Sequence, residues 1–292
     1  MTANDTVLIT VYKSVSNYDL TPLGGPSNGT LLDSGFQEID IATNTSLFTW
    51  WASEHFNLSD SYAPYAEYLK NPNPRGIDFF HLNSIQKIGN DFVVSGRLCR
   101  LVTYVSHTDG KPIWTLGGKV NQFQDLSQGN ALSFGFQHHV RVRDSDMTEL
   151  FMFDNHGVAN SVGCQANCSR GLYLHLDQSA KTVRVASENY HPQSLATAAE
   201  GSWQPQLNTN TVIGWGYNPS FIEVTSSGET VWDVQWGPWD NNATEGSYRV
   251  FKSNWVAYPT WNPDIAIRDG DIYVSWNGAT EVELWDLVSP NS

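Results

Sequence analysis

The chain sets histidine, asparagine and arginine inside apolar, strand-like runs, and these are the residues whose types could do chemistry. One run is Phe79-Phe80-His81-Leu82-Asn83-Ser84-Ile85, with Arg97 closing the apolar run that follows it. The other is Phe134-Gly135-Phe136-Gln137-His138-His139-Val140-Arg141-Val142. An imidazole can attack an electrophile or move a proton near neutral pH. A guanidinium pairs with oxyanions, and an amide can donate to developing negative charge. Strand alternation puts His81 and Asn83 on one face, while His138 and His139 face opposite ways, so one of that pair is expected at a shared site. The equivalent strands of later units offer Trp203 and Tyr248-Arg249. The candidate catalytic residues are therefore His81, Arg97 and one of His138 and His139. The candidate substrate-binding residues are Asn83, Phe80, Gln137, Trp203, Tyr248 and Arg249.

Other chemistries have less support. No Gly-x-Ser-x-Gly elbow is present, so the sequence does not read as a serine hydrolase. No acidic and histidine residues stand at metal-ligand spacing, so neither metal nor cofactor is expected. Asp264 and Asp271 flank a turn, where aspartate is common for conformational reasons. The formal net charge of −14 disfavours nucleic-acid binding. With 12 Trp, 12 Tyr and 13 Phe, the chain holds more aromatic surface than a core of this size needs. A large hydrophobic small molecule is thus the expected substrate.

Compartment is read from three features. No apolar run of about 18 residues suggests a membrane span, and the start of the chain lacks an apolar leader segment. Cys164 and Cys168 are close enough for a small disulfide loop, which leaves Cys99 over. Six Asn-x-Ser/Thr sequons occur, at Asn4, Asn28, Asn44, Asn57, Asn167 and Asn242. Together they favour a secretory, N-glycosylated protein. A secreted chain needs a leader, so the native chain is expected to extend before Met1.

The elements that must position these residues are short strands in groups of four. The strands are predicted at 79–86, 91–97, 100–106 and 112–117, then 136–143, 148–153, 171–176 and 182–187. A further group reads 202–207, 211–217, 220–225 and 230–236, and a last one 247–256, 264–268, 271–276 and 281–287. The first unit has about three, at 7–12, 36–41 and 47–51. Between them, the spacing of Tyr62, Tyr65 and Tyr68 suits a short helix. Four-strand units at regular intervals are the pattern of β-propeller blades. The expectation is one all-β domain over 1–292, a propeller with about five visible blades of a six-bladed design.

The same residues carry a resemblance. Phe79-Phe80-His81-Leu82-Asn83-Ser84, Trp114-Thr115-Leu116-Gly117-Gly118-Lys119, Phe136-Gln137-His138, Leu150-Phe151-Met152-Phe153-Asp154-Asn155 and Gly214-Trp215-Gly216 resemble the fungal arylsulfotransferase-like family. The match runs in order over nearly the whole chain. It implies a secretory six-bladed propeller, distantly similar to bacterial aryl-sulfate sulfotransferases. There a histidine takes a sulfuryl group from a phenolic ester and passes it on. By position, His138 would be the nucleophile, with His81, Asn83 and Arg97 binding sulfate. The chain departs from the family pattern at His139, where the family has aspartate, and at Leu98, where it has histidine. Relatives in tropolone-sesquiterpenoid pathways are hetero-Diels–Alderases. The leading expectation is accordingly coupling of a tropolone o-quinone methide with a humulene-type sesquiterpene. Sulfuryl transfer and a non-catalytic, ligand-binding propeller are the alternatives.

Overall fold

The computed structural model describes residues 2, 5–157, 159, 161–239 and 245–288. They form two compact units, Met1–Phe251 and Lys252–Ser292. The sequon asparagines Asn4 and Asn242 lie outside the described residues.

In the first unit, β1 (Thr6–Tyr18), β2 (Gly29–Asp40) and β3 (Thr45–Trp51) make an antiparallel meander. A short strand, β4 (Ile77–Asp78), pairs with β2 in parallel. The second sheet is β5 (Leu82–Ile88), β6 (Asp91–Gly96), β7 (Leu101–Val105) and β8 (Pro112–Gly117), in order. A two-residue strand, β9 (Gln124–Asp125), leaves that sheet and adds in parallel to the edge of the third. The third is otherwise β10 (His138–Val142), β11 (Glu149–Asp154), β12 (Arg170–Asp177) and β13 (Thr182–Tyr190). The fourth is β14 (Ser202–Pro205), β15 (Thr211–Gly214), β16 (Ser220–Val224) and β17 (Thr230–Gln235). In the second unit, β18 (Asp264–Arg268) and β19 (Asp271–Ser275) form a hairpin. The predicted strands at 247–256 and 281–287 do not form. A single α-helical turn, α1 (Tyr65–Tyr68), stands where the tyrosine spacing placed it.

The all-β expectation is right, but the propeller is corrected. Among the described residues the strands make several separate open sheets, and none is closed into a barrel or propeller or strongly curled. Strand count fixes which strands share hydrogen bonds; it does not fix how whole sheets are arranged. The parallel additions of β4 and β9 at sheet edges and the lone hairpin of β18–β19 also break the regular blade pattern.

Consecutive sheets of the first unit meet through side chains. Phe36, Trp50, Phe80, Phe92 and Leu101 are buried between the first and second sheets. Val93, Trp114, Val140, Met152 and Leu172 are buried between the second and third. Phe153, Trp203, Ile213 and Trp215 are buried between the third and fourth. Full burial of each such side chain contributes roughly 1.5–3 kcal/mol. The Phe80 ring lies so close to Gly96 that an added Cβ would meet it at 2.6 Å, so glycine is required there. This packing fixes the strand ends from which the polar residues project.

A cationic cleft beside a buried histidine

The site begins with a break in a strand. The sequence reading put His81 within a strand; instead it precedes β5 in the left-handed region, with φ of 54°. Asp78 causes this. Its Oδ1 accepts the His81 backbone N–H at 2.9 Å, and its Oδ2 lies 2.6 Å from His81 Nδ1. A neutral His81 therefore carries its proton on Nδ1, and Nε2 has no protein partner among the described residues. His81 and Asn83 then differ in backbone conformation rather than sharing one strand face. Tyr12 stands edge-on to the His81 ring at 6.4 Å and donates its phenol to the Leu82 carbonyl at 3.3 Å. Burial, then the negative charge of Asp78, raises the Tyr12 phenol well above its ordinary pKa. Tyr12 is thus a proton donor and not a base.

These groups open on a cleft of about 520 Å³ whose walls include His81, Asn83, Arg141, Tyr248 and Arg249. Asn83 donates from Nδ2 to the Gln137 carbonyl at 2.7 Å, and its buried Oδ1 has no partner among the described residues. Arg97 donates to the Ala198 carbonyl at 3.1 Å and lies 4.8 Å over the Phe136 ring. Its buried Nε is unpartnered. Burial lowers the Arg97 pKa, against the opposing charge of Asp78.

His138 is 2% exposed and tied on both ring nitrogens. Its tautomer follows from the network. Asn155 Nδ2 donates to the carbonyls of Thr197 and Glu200, at 2.9 and 3.0 Å. That leaves Asn155 Oδ1 to face His138 Nδ1 at 2.8 Å, so Nδ1 must carry the proton. Nε2 then holds the lone pair, on which the Glu200 backbone N–H sits at 3.2 Å. Burial pushes the His138 pKa down to about 3, and the charges of Arg97 and His81 lower it further against the bond to Asn155. His138 is a neutral imidazole at physiological pH. Tyr248 stands edge-on to it at 6.2 Å.

His139 does not take the opposite, outward face. Its φ of 51° and the register shift between His138 and Arg141 interrupt alternation, and both histidines are buried. His139 Nδ1 accepts the Trp203 backbone N–H at 3.1 Å, and burial pushes its pKa down to about 2.

Of the residues expected at the site, the structure brings His81, Asn83, Tyr248 and Arg249 into one cleft, with His138 and Arg97 close behind. Three others lie elsewhere. Phe80 is fully buried between the first two sheets. Gln137 is a strut whose Nε2 donates to Ser95, Gly96 and Leu101. Trp203 packs on Phe151 and Tyr173 and lines a separate cavity of about 310 Å³. Sequence reasoning missed Tyr12, Asp78, Arg141 and Asn155. Asp78 carried a local signal, an aspartate three residues before a histidine. Cys164 and Cys168 are bonded, with Cα atoms 5.6 Å apart, and Cys99 is free and buried. Among the described residues, no group of three His, Cys, Asp or Glu is placed to hold a metal ion, and no helix is long and apolar enough to cross a membrane.

The family model described as arylsulfotransferase (ASST) matches residues 1–237. No curated protein matches the sequence. Among solved structures, the chain is similar to hydrazine synthase of Kuenenia stuttgartiensis at 11% identity and TM-score 0.32, covering 58% of this chain and 37% of that one. It is also similar to a putative 6-phosphogluconolactonase from Bacteroides uniformis at 10% identity and TM-score 0.39, covering 92% of this chain and 60% of that one. The chain thus spans less than two thirds of each of those structures, and likeness at this level carries no argument about function. The match over 1–237 supports the sulfuryl-transfer alternative better than the leading expectation of tropolone–humulene cycloaddition, for which it gives no evidence.

Proposed function

The chain belongs to the arylsulfotransferase (ASST) family, and from that premise we propose that it transfers a sulfuryl group from an aryl sulfate to a phenol. One observation carries the reading: His138 is a neutral imidazole whose Nδ1–H is fixed on Asn155, beside the Arg97 cation. Its Nε2 lone pair is the nucleophile. It attacks the sulfur of the ester, the S–O bond to the aryl group breaks, and an Nε2–S bond forms. Arg97 and Asn83 hold the sulfuryl oxygens by charge and amide donation. For Nε2 to react, the Glu200 N–H must give way, and a 3.2 Å contact is a weak competitor.

His81 moves the proton. Held on Asp78, it points Nε2 at the cleft. In its protonated form it gives the Nε2 proton to the departing phenoxide. Now neutral, it takes the proton of the acceptor phenol as that oxygen attacks sulfur and the N–S bond breaks. Both histidines end as they began.

The test is p-nitrophenyl sulfate with phenol as acceptor. Nitrophenol release is expected to vanish in His138→Ala, and the enzyme mixed with donor alone to gain the mass of one sulfuryl group. His81→Ala is expected to reduce turnover of phenyl sulfate by about 100-fold or more, but that of p-nitrophenyl sulfate less, since nitrophenoxide leaves without protonation. Undiminished transfer in His138→Ala would refute the reading.

A further inference from the structure

Arg141 and Arg249 have no role in the transfer just described, yet both line the same cleft. Their partners are unusual for a chain with 30 acidic residues. Arg141 Nη1 donates to Ser84 Oγ at 2.5 Å and to the Val140 carbonyl at 2.7 Å. Arg249 Nη2 donates to the Asn83 carbonyl at 3.2 Å, and its buried Nε has no partner among the described residues. Every acceptor is neutral. Among the described residues no carboxylate lies within ion-pair distance of either guanidinium. His139 cannot neutralise them, because it is itself an uncharged base. Burial and the neighbouring charge of Arg249 push Arg141 down to about 10, so the two cations oppose one another.

Two guanidiniums held together without a counter-charge are costly, and an anion between them removes that cost. Their place along β5 sets its distance from the reacting group. Arg249 is tied to Asn83 and Arg141 to Ser84, two and three residues beyond His81. Both anchors thus lie within three residues of His81 on the wall of the same cleft, within reach of an acidic group carried by a bound aromatic ring.

We propose that Arg141 and Arg249 form a second anion subsite, and that the phenolic substrate of this cleft carries an acidic group besides the one that is transferred. The inference rests on the sulfuryl-transfer reading for its reaction, though not for its binding. The acid group belongs to the donor or to the acceptor, and two arms separate these sources.

In the first arm, 4-carboxyphenyl sulfate is compared with phenyl sulfate as donor. In the second, 4-hydroxybenzoate is compared with phenol as acceptor. In one arm the acid-bearing compound is expected to have the higher kcat/KM, by about tenfold or more, the worth of one charge-assisted bond. Arg249→Gln and Arg141→Gln, each verified as folded by circular dichroism, are expected to bring that ratio within about threefold of one. Calorimetric binding of the same four compounds gives the same ratios without turnover. Selective binding with no transfer would sustain the subsite while refuting the sulfuryl-transfer reading. A ratio near one in both arms and in binding, or a preference that survives both substitutions, would overturn the subsite.

Discussion

His138 and His139 show how two adjacent residues of one type come to different ends, and both have a consequence for stability. Each is held neutral in the fold, with its pKa depressed to about 3 and about 2, whereas an unfolded histidine titrates near 6.5. Between those values the unfolded chain binds more protons than the folded one, so stability falls as pH drops below about 6.5. By pH 5 each group costs about 2 kcal/mol, at roughly 1.4 kcal/mol for each pH unit. Urea unfolding between pH 7.5 and 5 is expected to show a loss of about 4 kcal/mol from this pair. His138→Gln should remove about half of it. A flat profile would show that the imidazoles are not buried neutral in solution. At this scale the sequence singled out His81, His138, Asn83 and Arg97, and the structure places them in or beside one cleft. The tautomer of His138 was not legible, because Asn155 reaches it from 17 positions away only through the pairing of β10 with β11. Nor was the burial of both histidines, because alternation fails where His139 adopts positive φ.

β5 and β10 belong to different sheets, yet side chains strap them together along their length. Asn83 donates to the Gln137 carbonyl at 2.7 Å and Ser84 to the Val140 carbonyl at 2.8 Å. Gln86 closes the ladder, donating to the Val142 carbonyl at 2.9 Å and accepting the Val142 N–H at 2.7 Å. The strap sets the spacing between the two segments that supply His81 and His138. Beneath it, Arg170 donates to Asp154, Asn130, Glu188 and Ser133, and Asp154 in turn accepts the Gly135 N–H. That network fixes the approach to His138 from the other side. Gln86→Ala leaves both Val142 backbone groups without partners, and such a loss costs about 1–3 kcal/mol. Chemical denaturation is the measure, and a change under about 0.5 kcal/mol would show that water replaces the amide there. Most strands of the first unit were legible from alternating apolar residues bounded by turns, including β6, β8, β11 and β15 to within a few residues. The strap was not, since it is written in polar residues whose partners lie more than 50 positions off.

At the scale of the molecule, the four-strand grouping was legible up to β17 but not over 247–287, and the arrangement of the sheets was not legible. Sequence periodicity reports which residues face a core; each sheet is built mainly from strands adjacent in the chain, whereas the packing of one sheet on the next depends on contacts between residues distant in it. The sequons have a testable meaning at this scale, because Asn28, Asn44, Asn57 and Asn167 are all exposed. If the chain passes through the secretory route, native protein is expected to lose mass on enzymatic deglycosylation. Native protein of unmodified mass would count against secretion. The second unit makes the sharpest case. Among its described residues, 252–288, there is one hairpin, β18–β19, with a Trp276 Nε1–H bond to the Trp261 carbonyl at 2.7 Å and the Ala257–Thr280 bonds. Trp255, Tyr258, Trp261, Ile265, Ile267, Leu284 and Leu287 are all exposed. A lone two-stranded hairpin is marginal in water, because it has no second layer to bury its apolar face. A segment of about 40 residues whose described residues contribute to no hydrophobic core cannot offset the entropy of ordering its backbone. The peptide 252–292 made alone is therefore expected to be unfolded, with collapsed amide dispersion by NMR and no thermal transition by circular dichroism. A cooperative melt of the isolated segment would show that its apolar side chains make a core by themselves.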